Sequence, residues 1–241
     1  MNDTLKLICD PKPLMVAHRG LSGIEKENTH GAFIAAGNRS YHGIETDVHR
    51  TLDGHYVCIH DFNTARVGID NLVIEESTFD TLRSLKLCGK SGKKDRADIC
   101  IPTLAEYIAI CRRYGKVAVC ELKGEYTREQ IVEICEIVAA EGWYHETVFI
   151  SFNLQNLLYV RELTPKQPVQ YLFSGNTDGL CEILDMYDMD LDIDYNCITP
   201  ELCEAVHAAG HEINVWTVDD VETAQRMAEM GVDFITSNII E

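Results

Sequence analysis

The stretch that decides the architecture runs from His18 to Asp61 and reads HRGLSGIEKENTHGAFIAAGNRSYHGIETDVHRTLDGHYVCIHD. It opens on His18-Arg19-Gly20, directly after the apolar run Leu14-Met15-Val16-Ala17, and closes on His60-Asp61 after Tyr56 to Ile59. Glu27-Asn28-Thr29 and the acids Glu45 and Asp47 lie between. In a strand over Gly43 to Val48, the side-chain period of two turns Glu45 and Asp47 to the same side. Two histidines, an arginine and alternating acids at the ends of strand-like runs are the parts that metal-assisted phosphate chemistry requires.

Outward from this stretch, short apolar runs alternate with helix-like segments. Thr29 is predicted to cap a helix through Arg39 with Phe33, Ile34 and Ala36 on its inner face. Leu52-Asp53-Gly54 reads as a tight turn before the strand that delivers His60. Residues 62 to about 101 fit the alternation worst. They hold a short helix near Phe79 to Leu87 and a basic run from Cys88 to Arg96, and read as a small insertion over one mouth of the fold, mobile around Lys90 to Lys94.

Regularity returns with a Thr103-capped helix to Tyr114 and a strand from Lys116 to Glu121. Helices are then predicted over 128–141, 153–163, 178–188, 200–209 and 219–230. The strands between and after them are Thr147 to Ile150, Val169 to Phe173, Met189 to Ile193, Glu212 to Val215 and Val232 to Ile235. About eight parallel-type strands with no composition break predict one α/β domain over residues 1–241. A doubly wound sheet shares this alternation but gathers its functional groups at one crevice. Here the notable groups follow many strands: His18, Glu45 and Asp47, His60, Glu121, Phe152 and Trp216. That distribution selects a (β/α)8 TIM barrel with an insertion over about 62–101.

Composition narrows the partners. The 241 residues carry a formal net charge of −18, which disfavours nucleic acid and stable membrane association as general binding modes. An anionic substrate would need a local positive site. The ten cysteines lie mostly within apolar runs, as Cys58 and Cys120 do, with no C-x-x-C pair to suggest zinc. Asp3, Lys6, Asp10 and Lys12 interrupt any apolar leader. A cytoplasmic, reduced protein is expected, and homo-oligomerisation is compatible with the sequence.

Among the acids, Glu45, Asp47 and Glu121 form a set of hard oxygen ligands suited to a divalent metal, Mg²⁺ or Ca²⁺, with positions left for water and phosphate oxygens. Among the nine histidines, His18 and His60 stand apart because each follows an apolar strand beside a charged neighbour. Two imidazoles flanking a phosphate can divide general-base and general-acid work near neutral pH. Arg19 offers a planar donor fork for phosphate oxygens and Lys123 a compact charge.

The ordered series HRG, ENT, ETDV, DG and HD resembles the glycerophosphodiester phosphodiesterase family. IPTL (Ile101 to Leu104), ELK, Ser151-Phe152, VWTV (Val215 to Val218) and GVDFIT (Gly231 to Thr236) keep that family's order, so the resemblance covers nearly the whole chain. It implies a barrel with an insertion after the HD element, and hydrolysis of a small-molecule glycerophosphodiester to sn-glycerol 3-phosphate and an alcohol. Glu45, Asp47 and Glu121 would hold the metal, and His18 and His60 would be the acid–base pair. Arg19 would contact phosphate with Lys123 nearby. Glu27 and Asn28 would shape or ligate the site, and Phe152 and Trp216 would wall the pocket, Trp216 against the glycerol part. Two places depart from the pattern. Lys26 replaces the usual proline before ENT, and Thr236-Ser237-Asn238 replaces the common Thr-Asp after the last strand. Competing expectations are a lysophospholipase D-like or other lipid phosphodiesterase on the same barrel, and a non-catalytic phosphate-binding protein.

Overall fold

The computed structural model describes residues 3–89 and 99–241. The run around Lys90 to Lys94, expected to be mobile, lies outside the described residues. The strands in chain order are β1 (Leu14–Ala17), β2 (Gly43–Arg50), β3 (Tyr56–Cys58), β4 (Val117–Leu122), β5 (Thr147–Ser151), β6 (Val169–Phe173), β7 (Asp190–Asp194), β8 (Ile213–Trp216) and β9 (Phe234–Ser237). All but β3 pair in parallel, and β1 bonds both β9 and β2, which closes an eight-stranded barrel without a free edge. The helices are α1 (His30–Gly37), α2 (Phe79–Ser84), α3 (Leu104–Tyr114), α4 (Arg128–Ala140), α5 (Leu154–Leu163), α6 (Leu180–Tyr187), α7 (Pro200–Ala208) and α8 (Val221–Met230). Strand–helix alternation thus folds as the TIM barrel that the sequence predicts.

Each barrel strand is covered on both faces, which is why these segments read as near-continuous apolar runs. Val16, Val119, Ile150 and Leu172 fill the barrel interior. The outer strand faces pack against the helices through Phe33, Tyr107, Ile131 and Val206 among others. Thr103 and Thr127 each close a capping box, with Glu106 and Gln130 answering three residues on.

Three details differ from the sequence reading. Ile34 is 41% exposed and leaves the inner face of α1 to Ala32, Phe33 and Ala36. The last strand starts at Phe234, because Val232 N–H is spent on Met227 O in closing α8 past the left-handed Gly231. β3 runs antiparallel to the outer half of β2 and adds no barrel strand.

The β2–β3 hairpin carries the insertion. Ile59 N–H donates to Asp47 O at 3.0 Å at its entry, and Cys58 N–H donates to Pro102 O at 2.9 Å at its return. Between these points the segment builds an apolar cluster from Val67, Ile74, Leu82 and Ile101 among others, packed against Val57 and Ile59.

Candidate active site

The parallel register of β2 and β4 sets Asp47 opposite Glu121 and Glu45 opposite Val119. Glu45 and Asp47 share a face two residues apart, so all three acids converge on the barrel interior. Ligand oxygens of the buried trio lie within 4.8 Å of one another. Asn28 Nδ2 donates to Asp47 Oδ2 at 2.7 Å, and Arg19 N–H donates to Glu45 Oε2 at 2.7 Å. Lys123 Nζ meets Glu121 Oε1 at 2.8 Å and lies 3.5 Å from Asp47 Oδ1, which is buried without a hydrogen-bond partner.

Three carboxylates this close cannot all be charged cheaply. Burial, then the neighbouring Asp47 charge, pushes Glu45 well up and Glu121 up to about 7. Burial works the same way on Asp47, yet Arg19, Lys123 and His60 together hold it below the ordinary carboxylate range. Buried hard oxygens, one of them unpartnered, with charge in excess of the local cations fit a divalent metal ion.

His18 and His60 face the same cavity of about 100 Å³, which Lys123, Phe152, Asp192 and Trp216 also line. His18 Nδ1 lies 2.8 Å from Asn238 Oδ1. Burial, assisted by the Arg19 charge, lowers its pKa to about 4, so the ring is neutral near pH 7. His60 Nδ1 meets the Asp61 carboxylate at 2.6 Å. Burial lowers His60 as well, while Asp47 and Asp61 pull it upward.

The backbone beneath the HRG and ENT elements is unusual. Arg19 and Asn28 adopt left-handed φ of 54° and 51°, conformations that non-glycine residues hold where the surroundings enforce them. Gly20 has φ +73°, and a Cβ there would sit 2.6 Å from the carbonyl carbon of Ala32. Only glycine lets the turn after Arg19 lie against α1.

Glu27 and Asn28 stand behind the cavity. Glu27 pairs with Arg19 at 3.1 Å, and Asn28 is locked between Asp47 and Thr46 Oγ1. Phe152, 49% exposed, meets Trp216 edge-on with centroids 5.8 Å apart. All eleven residues singled out from the sequence therefore gather at the C-terminal end of the barrel strands.

Sequence reasoning missed partners in three places. Arg66, in the insertion, bonds Glu27 Oε2 at 2.6 Å and Asp61 Oδ2 at 2.7 Å, tying the His60-Asp61 element to the ENT element. Asp192 is 1% exposed with Oδ1 unpartnered, and burial plus the Glu121 charge raises its pKa. The third is Asn238 with Asp219. An aspartate between Leu191 and Ile193 in a strand buried on both faces was a legible signal; Arg66 gave none.

A closed parallel barrel with cations and imidazoles ringing a buried acid trio defines a barrel hydrolase of phosphate diesters. The chain belongs to the Glycerophosphoryl diester phosphodiesterase family, whose profile matches residues 18–241. A glycerophosphodiester phosphodiesterase of Caldanaerobacter subterraneus is 31% identical over 236 residues, covering 94% of each chain. A phosphodiesterase of Oleispira antarctica, solved in complex with the product sn-glycerol-3-phosphate, superposes with a TM-score of 0.83 at 26% identity, covering 94% of this chain and 93% of the other. A glycerophosphodiester phosphodiesterase from Parabacteroides distasonis superposes with a TM-score of 0.76 at 27% identity, covering 98% and 94%.

Proposed function

We propose that the protein hydrolyses glycerophosphodiesters to sn-glycerol 3-phosphate and an alcohol. The observation that carries this reading is the meeting of the carboxylate trio, Arg19, Lys123 and both histidines at one cavity. Glu45, Asp47 and Glu121 would hold a divalent cation, Mg²⁺ or Ca²⁺, which when bound supplies charge neutralisation at the phosphate.

The chain's own groups do the rest. Arg19 and Lys123 bind and orient the phosphate oxygens. His18, neutral at physiological pH, takes the proton from the attacking oxygen. His60, oriented through Nδ1 by the Asp61 carboxylate while burial holds its pKa below the ordinary imidazole value, returns a proton to the departing alkoxide. Trp216 and Phe152 supply an apolar wall for the glycerol carbons. Residues 1–241 act as one domain carrying the insertion over 62–101. All ten cysteines are free thiols, consistent with a reducing cytoplasm, and among the described residues no helix is long and apolar enough to cross a membrane.

The test is purified protein with glycerophosphocholine, with and without EDTA. Release of sn-glycerol 3-phosphate that stops on chelation and resumes with Mg²⁺ or Ca²⁺ is expected. Turnover that survives chelation removes the metal, and full turnover in His18→Ala or His60→Ala removes the acid–base pair. A second reading has one observation in its favour. Phe62 and Phe152, 54% and 49% exposed, flank a groove that continues from the cavity past Lys123 and Gly124. Such a rim suits a diester with an acyl chain, and a preference for micellar lysophospholipid over glycerophosphocholine would select it.

A further inference from the structure

The segment Thr236-Ser237-Asn238, where the chain leaves the family pattern, has no task in the scheme above. Its geometry supplies one. Asn238 is held by Asp219 at two points: the side-chain Nδ2 donates to Asp219 Oδ2 at 2.6 Å, and the backbone N–H donates to Asp219 Oδ1 at 2.8 Å. Ser237 Oγ donates to the same Oδ1 at 3.2 Å. An ionised carboxylate has no proton to give, so the amide must present its NH₂ to Asp219 and its carbonyl oxygen to the opposite side.

On that side Asn238 Oδ1 lies 2.8 Å from His18 Nδ1, and Ser22 Oγ donates to it at 2.5 Å. An amide oxygen only accepts, so His18 Nδ1 carries the proton of the neutral ring and Nε2 carries the lone pair. The main chain is fixed in the same frame, with His18 N–H donating to Ser237 O at 2.9 Å, and the single Ser22 hydroxyl proton is shared between Asn238 Oδ1 and His18 O, 2.8 Å away.

We propose that Asn238, oriented by Asp219, is the positioning residue that fixes His18 in its Nδ1–H tautomer and leaves Nε2 to accept the proton in diester hydrolysis. The two histidines then have opposite partners. His60 meets a carboxylate directly, at Nδ1. His18 meets a neutral amide, with the carboxylate of Asp219 one residue further out, so its tautomer is set while its lone pair stays free. The other charged groups that act on His18 are Arg19 and Asp47. A wrong imidazole tautomer disables a base whose position is otherwise intact.

The inference rests on His18 being the base, but its first test does not need turnover. Nitrogen NMR of ¹⁵N-histidine-labelled full-length protein, with His18 assigned by its loss in His18→Gln, should show a protonated Nδ1 and an unprotonated Nε2 near neutral pH. In Asn238→Ala the two tautomers should mix. With glycerophosphocholine, Asn238→Ala should lower kcat about 10- to 100-fold, the range for partners that orient a functional imidazole, with little change in KM. An Nε2–H signature in the unmodified protein overturns the proposal, as does an unchanged tautomer or an unchanged kcat in Asn238→Ala. The expected signature in a protein that cleaves no diester upholds the tautomer lock and defeats the functional reading instead.

Discussion

Replacing Gly20 by alanine should damage the protein far more than the same change at Gly115, although both glycines are left-handed. At Gly20, φ is +73° and the new Cβ would lie 2.6 Å from the Ala32 carbonyl carbon and 2.8 Å from its oxygen. At Gly115, φ is +62° and nothing lies within 4 Å. Left-handed backbone costs an L-residue roughly 1–2 kcal/mol at either site, and lost unfolded-state freedom returns about 0.4–1 kcal/mol. Gly20 alone adds a clash with the backbone of α1, for which overpacking costs of about 1–3 kcal/mol apply. The expectation is about 2–4 kcal/mol for Gly20→Ala and about 1 kcal/mol or less for Gly115→Ala. For a chain of this length each kcal/mol moves the midpoint roughly 2–4 °C, so calorimetry should separate the two variants clearly. Arg19 N–H is bonded to Glu45, so displacement of the turn should also depress turnover in Gly20→Ala only. Equal losses of stability in the two variants would refute the argument that α1 forbids a side chain there.

Three further outcomes follow from the same geometry. Divalent cations should stabilise the unmodified protein by about 2.7 kcal/mol at a hundredfold excess over Kd, read as a rise in thermal midpoint, and Glu121→Ala should abolish that rise; a retained shift would place the metal elsewhere. Glu27 and Asp61, despite their burial, are held at about 2 chiefly by Arg66. These folded-state values lie below the unfolded ones, so the stabilisation is complete above the ordinary carboxylate range and is lost as pH falls toward 2. Urea midpoints should therefore fall less steeply on acidification in Arg66→Ala than in the unmodified protein, and parallel curves would count against the Arg66 cluster. Thr103→Ala removes half of a capping box and should cost about 1 kcal/mol in chemical denaturation, with metal-dependent behaviour unchanged.

Much of the fold was legible because a closed parallel barrel buries both faces of its strands. β1 and β6 fall where the apolar runs place them, and the Thr caps mark α1 and α3. Boundaries failed where a residue serves the preceding helix, as Val232 does for α8 and as Met189 does by donating its N–H to Leu184 O. The inner face of α1 was misread because its residues are apolar nearly all round, so the pattern offers little contrast to place Ile34. Strand direction was illegible at β3, since an antiparallel edge and a parallel barrel strand share one short apolar run.

In the site, period two along β2 was enough to bring Glu45 and Asp47 together. The pairing of Asp47 with Glu121 needed the register between β2 and β4, which crossover packing sets. Arg66 meets Glu27 39 residues away, and Asn238 meets His18 across 220 residues. Such contacts exist only once the barrel closes, so no local pattern announces them.

The hairpin of β2 and β3 has a consequence for how this scaffold can diversify. The segment between Ile59 and Pro102 leaves and rejoins the barrel at adjacent hydrogen bonds, Ile59 to Asp47 and Cys58 to Pro102. Its ends are thus pinned independently of its length, and lengthening such a loop costs only about 0.6 kcal/mol per doubling. The segment is a cassette: it can be exchanged for a longer or shorter one while β2 and β4 keep the carboxylate trio in place. A graft that preserves His60, Asp61 and Arg66 but remodels the remainder would retune which alcohol is accepted, while the carboxylates, the histidines and their supports stay as they are.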